Sequence, residues 1–285
     1  MSFTLLAFLA AALYALNAPL SKLLLQDVSP AMMAAFLYLG AGIGMLAIGL
    51  IRSCVRRQPF RLHFTRKDAP YVAGMTALDV AAPILLMLGL TMTSSASASL
   101  LNNFEIVATT LIAMLLFREK ISKRLWLAIG LITLSGVLLS LDEGGSLHFS
   151  SGSLLVLLAC VCWGLENNCT RMLSHGDPLE VVVVKGIGSG CVSLGIGLCA
   201  GESLPSSAVM PLILLLGFVA YGLSIYCYVY AQRGLGAAKT SAYYAVAPFI
   251  GVFLSLLIFR EIPSPLFTAA FLLMAAGTWL VGRVK

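Results

Sequence analysis

The sequence predicts an all-α integral membrane protein, with ten transmembrane helices arranged as two inverted five-helix repeats. Three observations predict it. Of 285 residues, 60% belong to the hydrophobic set and only 11% are charged, with mean hydropathy +0.98. A soluble domain carries about 25% charged residues, and a chain this poor in charge could not cover a soluble surface. The apolar residues fall into ten segments, each near the ~20 residues that cross a bilayer. The second half of the chain also repeats local patterns of its start. An ordinary cytosolic enzyme, a disordered chain and a DNA-binding module are excluded, and ten spans leave no room for a large soluble domain.

The spans are read at 3–25, 30–51, 69–90, 95–117, 124–141, 152–173, 178–200, 209–232, 238–259 and 264–282. The runs are continuous rather than alternating, so each is helical, with its backbone polar groups satisfied inside the segment. Span one turns polar from Asn17 to Lys22 and lacks a basic start, so it is not read as a cleavable leader. Its Pro19 takes away a backbone donor and frees a carbonyl near residue 15. Span two opens on Pro30, which fits a first helical turn. Its Gly40 and Gly44, like Gly186 and Gly190 of span seven, are spaced for close helix packing. Span three carries Asp79 one turn before Pro83, and span four carries Asn102, Asn103 and Glu105. Span five has no acid. Span six holds Trp163, Glu166, Asn167 and Thr170, whose i, i+3, i+4, i+7 spacing puts them on one face. Span seven contains Lys185. Span eight is rich in tyrosine, including Tyr221, and span nine is interrupted by Pro248, which frees a carbonyl near Tyr244.

Loop charge sets orientation. With a cytoplasmic N-terminus, every basic residue except Lys22, Lys185 and Arg260 falls on the cytoplasmic side. The connection 52–68 alone holds Arg52, Arg56, Arg57, Arg61, Arg66 and Lys67, while 142–150 has Asp142 and Glu143 and no base. Both termini are expected inside, in the inner (plasma) membrane. A basic inside loop is the default, so 52–67 is not taken as a nucleic-acid patch.

Phe117-Arg118-Glu119 closes span four and Phe259-Arg260-Glu261 closes span nine, 142 residues later. Ala96–Ser99 lines up with Ala238–Ser241, Tyr14–Asn17 with Trp163–Glu166, and Ser29-Pro30 with Asp177-Pro178. The repeats are therefore read as 1–145 and 146–285. Five helices is an odd number, so the second copy enters from the opposite face. Inverted repeats recur in secondary transporters, where they place a substrate site between two similar halves.

The segments Ala15–Lys22, Cys162–Asn168, Ser97–Glu105 and Ala247–Phe249 resemble those of the drug/metabolite transporter superfamily, in its ten-helix EamA-type branch. The resemblance covers essentially the whole chain. It implies a central cavity lined by the first four helices of each repeat, alternating access and no ATPase. It leaves the cargo open across amino acids, drugs, sugars and other metabolites. One departure is that Ile106 follows Glu105 where the family often has proline, while the second copy keeps Pro248 but has Ala247 in place of the acid.

Ionisable groups within a span are costly and mark function by default. Asp79, Glu105, Glu166 and Lys185 are the candidates. Lys22 and Arg171 lie nearer helix ends, where long basic side chains reach the surface. The Trp163/Glu166/Asn167/Thr170 face joins an aromatic plate, an acid, an amide and a hydroxyl, suited to an ammonium group, or else to a neutral acid hydrogen-bonded between helices. Glu105 or Glu166 can carry a proton during each cycle, or Glu105 can be structural. Asp79 faces the cavity or pairs with Lys185. The expected substrate-binding set is Asn17, Asp79, Asn102, Asn103, Glu105, Trp163, Glu166, Asn167, Thr170, Lys185, Tyr221 and Tyr244, with Pro19, Pro83 and Pro248 as hinges.

Seven cysteines in apolar runs do not make a disulfide framework, and Cys160 and Cys162 point apart. The Gly195–Ala200 run fits a loose dinucleotide fingerprint without the strand–turn–helix setting. His63, His148 and His175 form no cluster. No metal, cofactor, enzymatic activity or nucleic-acid partner is expected; membrane lipids and a small-molecule substrate are, for a monomer or homodimer. The sequence reads as an exporter of amino acids or related amines, with an organic-cation effluxer next. A lipid flippase, a lipid-modifying enzyme and a passive channel are weaker readings.

Overall fold

The computed structural model describes residues 2–57, 64–117, 122–140, 150–173, 177–235, 240 and 243–283. Arg118 and Glu119 of the repeated tripeptide, Ala238 and Ser241 of the other match, the Asp142/Glu143 connection, Arg61, Lys120, Lys239, Lys285 and the three histidines lie outside the described residues. The spans are built of helices, with no strand among the described residues. Nine helical stretches among them are long and apolar enough to cross a membrane, and the shorter apolar helix Ala247–Phe259 stands in the ninth position. The protein is a ten-helix membrane protein.

Four of the ten spans are interrupted. Span one divides into α1 (Phe3–Ala15) and α2 (Asn17–Leu24), with Leu16 between them. The cause is Pro19, which has no N–H for the carbonyl one turn back. Span two is the unbroken α3 (Pro30–Arg56). Span three is α4 (Ala69–Met92), which continues through Pro83. Span four breaks into α5 (Ser95–Leu101) and α6 (Phe104–Phe117) without any proline. Here i→i+3 bonds, Glu105 N to Asn102 O at 3.1 Å and Ile106 N to Asn103 O at 3.1 Å, replace the α-helical ladder. Asparagine competes with the helix for backbone hydrogen bonds, which explains two of them at a break. Span five is α7 (Lys123–Ser140), span six α8 (Ser151–Met172) and span seven α9 (Pro178–Cys199). Span eight runs as α10 (Met210–Gly217), a π-helical turn at Phe218–Leu223 and α11 (Ser224–Leu235). Such turns widen a helix by one residue and occur frequently at functional sites. Span nine is α12 (Ala247–Phe259), preceded by a turn at Ala245–Val246, and span ten is α13 (Pro265–Gly282).

At the centre α3 crosses α9. A Cβ on Gly186 would lie 2.4 Å from the Gly42 nitrogen, so the two backbones touch there. Gly190 meets Leu39 of α3, whereas Gly40 and Gly44 face Leu214 and Phe218 of span eight. The small residues thus serve packing within the bundle. Both ends of the crossing are also tied. Arg52 pairs with Asp177, the N-cap of α9, at 3.2 Å. At the other end the Glu202 carboxylate accepts from Met32 N at 2.9 Å and Ala31 N at 3.4 Å. It supplies the cap that Ser29 does not give, at the positive end of the α3 dipole. Around this pair, α4 packs on α8, α6 on α8, α1 on α11, and α7 on α13.

Candidate functional site

The interior of the bundle holds three linked polar groups. The ionisable one lies where α3, α4, α8 and α9 meet. Lys185 Nζ is 3.2 Å from Asp79 Oδ2 and 3.0 Å from Glu166 Oε1. The side chains of Asp79, Glu166 and Lys185 are 0%, 2% and 12% exposed. The Asp79–Lys185 pair anticipated from sequence is therefore present, and Glu166 joins it. Tyr38 of α3 donates to Asp79 Oδ1 at 2.9 Å, and Thr170 donates to Glu166 Oε1 one turn along α8. Each acid thus has a hydroxyl donor and the ammonium within ion-pair distance, while Asp79 Oδ2 makes no hydrogen bond of its own. Pro83 adds a further polar group, because it offers no N–H to the Asp79 carbonyl. Two acids face one base.

The second group ties α6 to α8. Asn167 Nδ2 donates to Glu105 Oε1 at 2.7 Å and Thr109 Oγ1 at 3.2 Å. Asn168 Nδ2 donates to Gly164 O at 2.7 Å and Thr109 O at 3.3 Å. The α8 face expected to act as one is divided. Glu166 and Thr170 turn to α9, Asn167 turns to α6, and Trp163 is buried on the same helix. Successive helical residues point about 100° apart, so neighbours at 166 and 167 serve different partners.

The third group is aromatic. Asn17 Nδ2 donates to Tyr221 Oη at 2.9 Å, and Asn17 Oδ1 accepts from Ser21 at 3.1 Å. The Tyr221 ring lies 5.2 Å from Tyr38 and 6.0 Å from Tyr14. Tyr14 continues to Tyr244 at 5.8 Å, and Tyr244 to Tyr228 at 4.9 Å. Tyr38 therefore joins the ionisable triad to the tyrosines. The π-helical turn carries Tyr221, and Asn17 stands just after the break in span one; both irregular stretches hold polar side chains inward.

A cleft opens beside the aromatic group, bordered by Tyr14, Asn17, Ser99, Asn102, Pro248 and Gly251. Its interior volume is about 10 Å³, far below the ~300 Å³ at which small-molecule pockets begin. Asn103 is buried beside the break but its amide makes no hydrogen bond. Lys22 caps the carboxyl end of α4, donating to Leu90 O and, at 2.9 Å, to Thr93 O. The side chain of Arg171 lies outside the described residues. No group of three or more His, Cys, Asp or Glu is placed to hold a metal among the described residues.

Sequence reasoning did not single out Tyr38, Ser99 or Gly251. A signal for Tyr38 exists, since a phenol in an apolar run needs a partner for its hydroxyl. Ser99 and Gly251 become informative only once α5 and α12 are set side by side.

The sequence profile of the EamA-like transporter family matches residues 1–141 and again 150–283. An uncharacterized transporter of Methanothermobacter thermautotrophicus is 29% identical over 268 residues, covering 87% of this chain and 76% of its own length. The uncharacterized transporter YyaM of Bacillus subtilis is 24% identical over 247 residues, covering 83% of this chain and 79% of its own length. A solved crystal structure superposes with a TM-score of 0.72 at 19% identity, covering 98% of this chain and 94% of that one; this is likeness of fold alone.

Proposed function

The chain belongs to the EamA-like transporter family and is a multi-pass membrane transporter; on that premise we propose that it exports amino acids or related amines across the inner membrane, by alternating access. The observation that carries this reading is Lys185 between Asp79 and Glu166. Two acids and one base leave surplus negative charge in a water-poor interior, and a substrate ammonium or a proton neutralises it. Glu166 and Glu105 serve as the proton carriers. Asn102, Asn103, Asn167 and Thr170 give neutral hydrogen bonds to the cargo, and Tyr221, Tyr244 and Trp163 give aromatic faces. Asn17 orients Tyr221. Pro19, Pro83 and Pro248 are the points of bending.

The halves 1–145 and 146–285 are the two repeats, threaded in opposite senses. The breaks in spans four and nine support this. They fall at 102–103 and 245–246, within one residue of the 142-residue spacing between the repeated tripeptides. The two-part family match is consistent with it. The basic residues of the connections support cytoplasmic termini. The protein works as a monomer or a homodimer. The tyrosine cluster favours a second reading, a lipophilic organic-cation effluxer.

Proteoliposomes test both readings. Labelled amino acids or polyamines should exchange by counterflow, with a pH dependence that Glu166→Gln removes. Movement of organic cations alone selects the second reading. Flux without counterflow overturns alternating access altogether.

A further inference from the structure

Apart from the ionisable triad, the cleft beside Gly251 gathers neutral oxygens that the transport reading does not use. Ser99 of α5 is 2% exposed, and its Oγ has no hydrogen-bond partner. Its neighbours on this seam are satisfied: Ser95 and Ser255 share a hydrogen bond at 2.9 Å, and Ser255 also donates to Gly251 O at 2.7 Å. Opposite Ser99, Gly251 leaves a space. A Cβ built there would lie 3.0 Å from Ser99 Oγ and 3.4 Å from the Ala15 carbonyl oxygen. Oxygens from two separate spans therefore face one small volume. The Ala15 carbonyl receives no N–H from Pro19. Ala15 is the last residue of α1, and Ser99 lies near the end of α5, so the negative ends of two short helices converge here. Asn17 and Asn102 line the same cleft. Its interior has room for about one water-sized body, and no metabolite fits.

We infer that this cleft binds a single sodium ion, held by Ala15 O and Ser99 Oγ, with Asn17 and Asn102 at its border. The donors are all oxygen, which suits a hard cation. None is ionised, so a divalent ion would lack compensating charge. Carbonyls at the ends of broken membrane helices are ligands of the required kind. The bound ion links spans one and four beside Gly251 of span nine, and each of these three spans is broken.

Thermal unfolding of the full chain, purified in detergent, tests it without any substrate or gradient. Sodium chloride is compared with potassium and choline chlorides at equal ionic strength. A ligand of the native state raises the midpoint by mass action, so sodium should raise it by several degrees, saturably, and choline should not. Ser99→Ala should abolish the response, as should Gly251→Ala, which fills the space. Ser95→Ala, whose hydroxyl points to Ser255, should keep it. Equal midpoints in sodium and choline chloride for the unaltered protein mean a buried water and overturn the inference. A sodium response that survives Ser99→Ala overturns it too. Ser99→Ala removes one oxygen and adds no volume, so it decides the matter even if Gly251→Ala does not fold.

Discussion

At one end of the polar interior, Lys185 is clasped by two carboxylates with almost no exposed surface. At the other, Asn17, Ser99 and Asn102 border a cleft that has no ionised group among its lining residues. The first region is a network built on one cation, in which loss of Lys185 leaves two acids facing each other. The second is a set of dipoles, each replaceable at modest cost. Tyr38 and Tyr221 join them through rings 5.2 Å apart. The contrast teaches that the buried ion pairs are confined to α4, α8 and α9, while the cleft between the broken helices is bordered by neutral groups. The same inequality appears in the sequence, where Glu105 of span four has Ala247 142 residues later in span nine, the spacing of the repeated Phe-Arg-Glu.

The strongest challenge to this contrast is Lys185→Met. It leaves Asp79 and Glu166 facing each other without a cation, and breaking such a buried network costs about 3–5 kcal/mol. Transport should vanish and the melting midpoint should fall steeply. Adding Asp79→Asn and Glu166→Gln should restore the midpoint but not transport; if the triple variant stays as unstable as the single one, packing rather than charge is responsible. Next comes Glu166→Gln, which keeps shape and removes one acid. Uptake at saturating substrate should drop at least about tenfold, equivalent to roughly 1.4 kcal/mol, and its pH profile should flatten. An unaltered profile would take Glu166 out of proton coupling.

On the neutral side, Tyr221→Phe leaves the Asn17 amide without its acceptor, at a cost of about 1–3 kcal/mol. A several-fold rise in the substrate concentration for half-maximal uptake is expected, with the pH profile unchanged. An altered pH profile would mean that the two regions are not separate. The smallest effect is expected from Glu105→Gln, because a glutamine oxygen still accepts from Asn167. Stability should shift by less than about 1 kcal/mol, and any change in proton coupling measured as current per substrate then belongs to the lost acid.

Much of this arrangement is legible in the sequence. Hydropathy places all ten spans, because lipid demands continuous apolar helices. The scarcity of charge within the spans makes Asp79 and Lys185 natural partners, and Pro19 and Pro248 announce their breaks. Other features are invisible for physical reasons. The break at Asn102–Asn103 has no proline to mark it. The π-helical turn around Tyr221 inserts no recognisable signature. Glu166 and Asn167 look like parts of one face until the helices on either side claim them separately. The Glu202 cap on α3 joins residues 170 positions apart, which no local pattern can report.

The crossing of α3 and α9 has a consequence for motion. Its backbones touch at Gly42 and Gly186, Arg52–Asp177 fastens one end, and Glu202 fastens the other. Such a pair cannot slide or scissor without breaking a fastening, so α3 and α9 form one fixed unit. A permanent chemical staple between α3 and α9 should then leave turnover intact, whereas the same staple across a broken span should stop it.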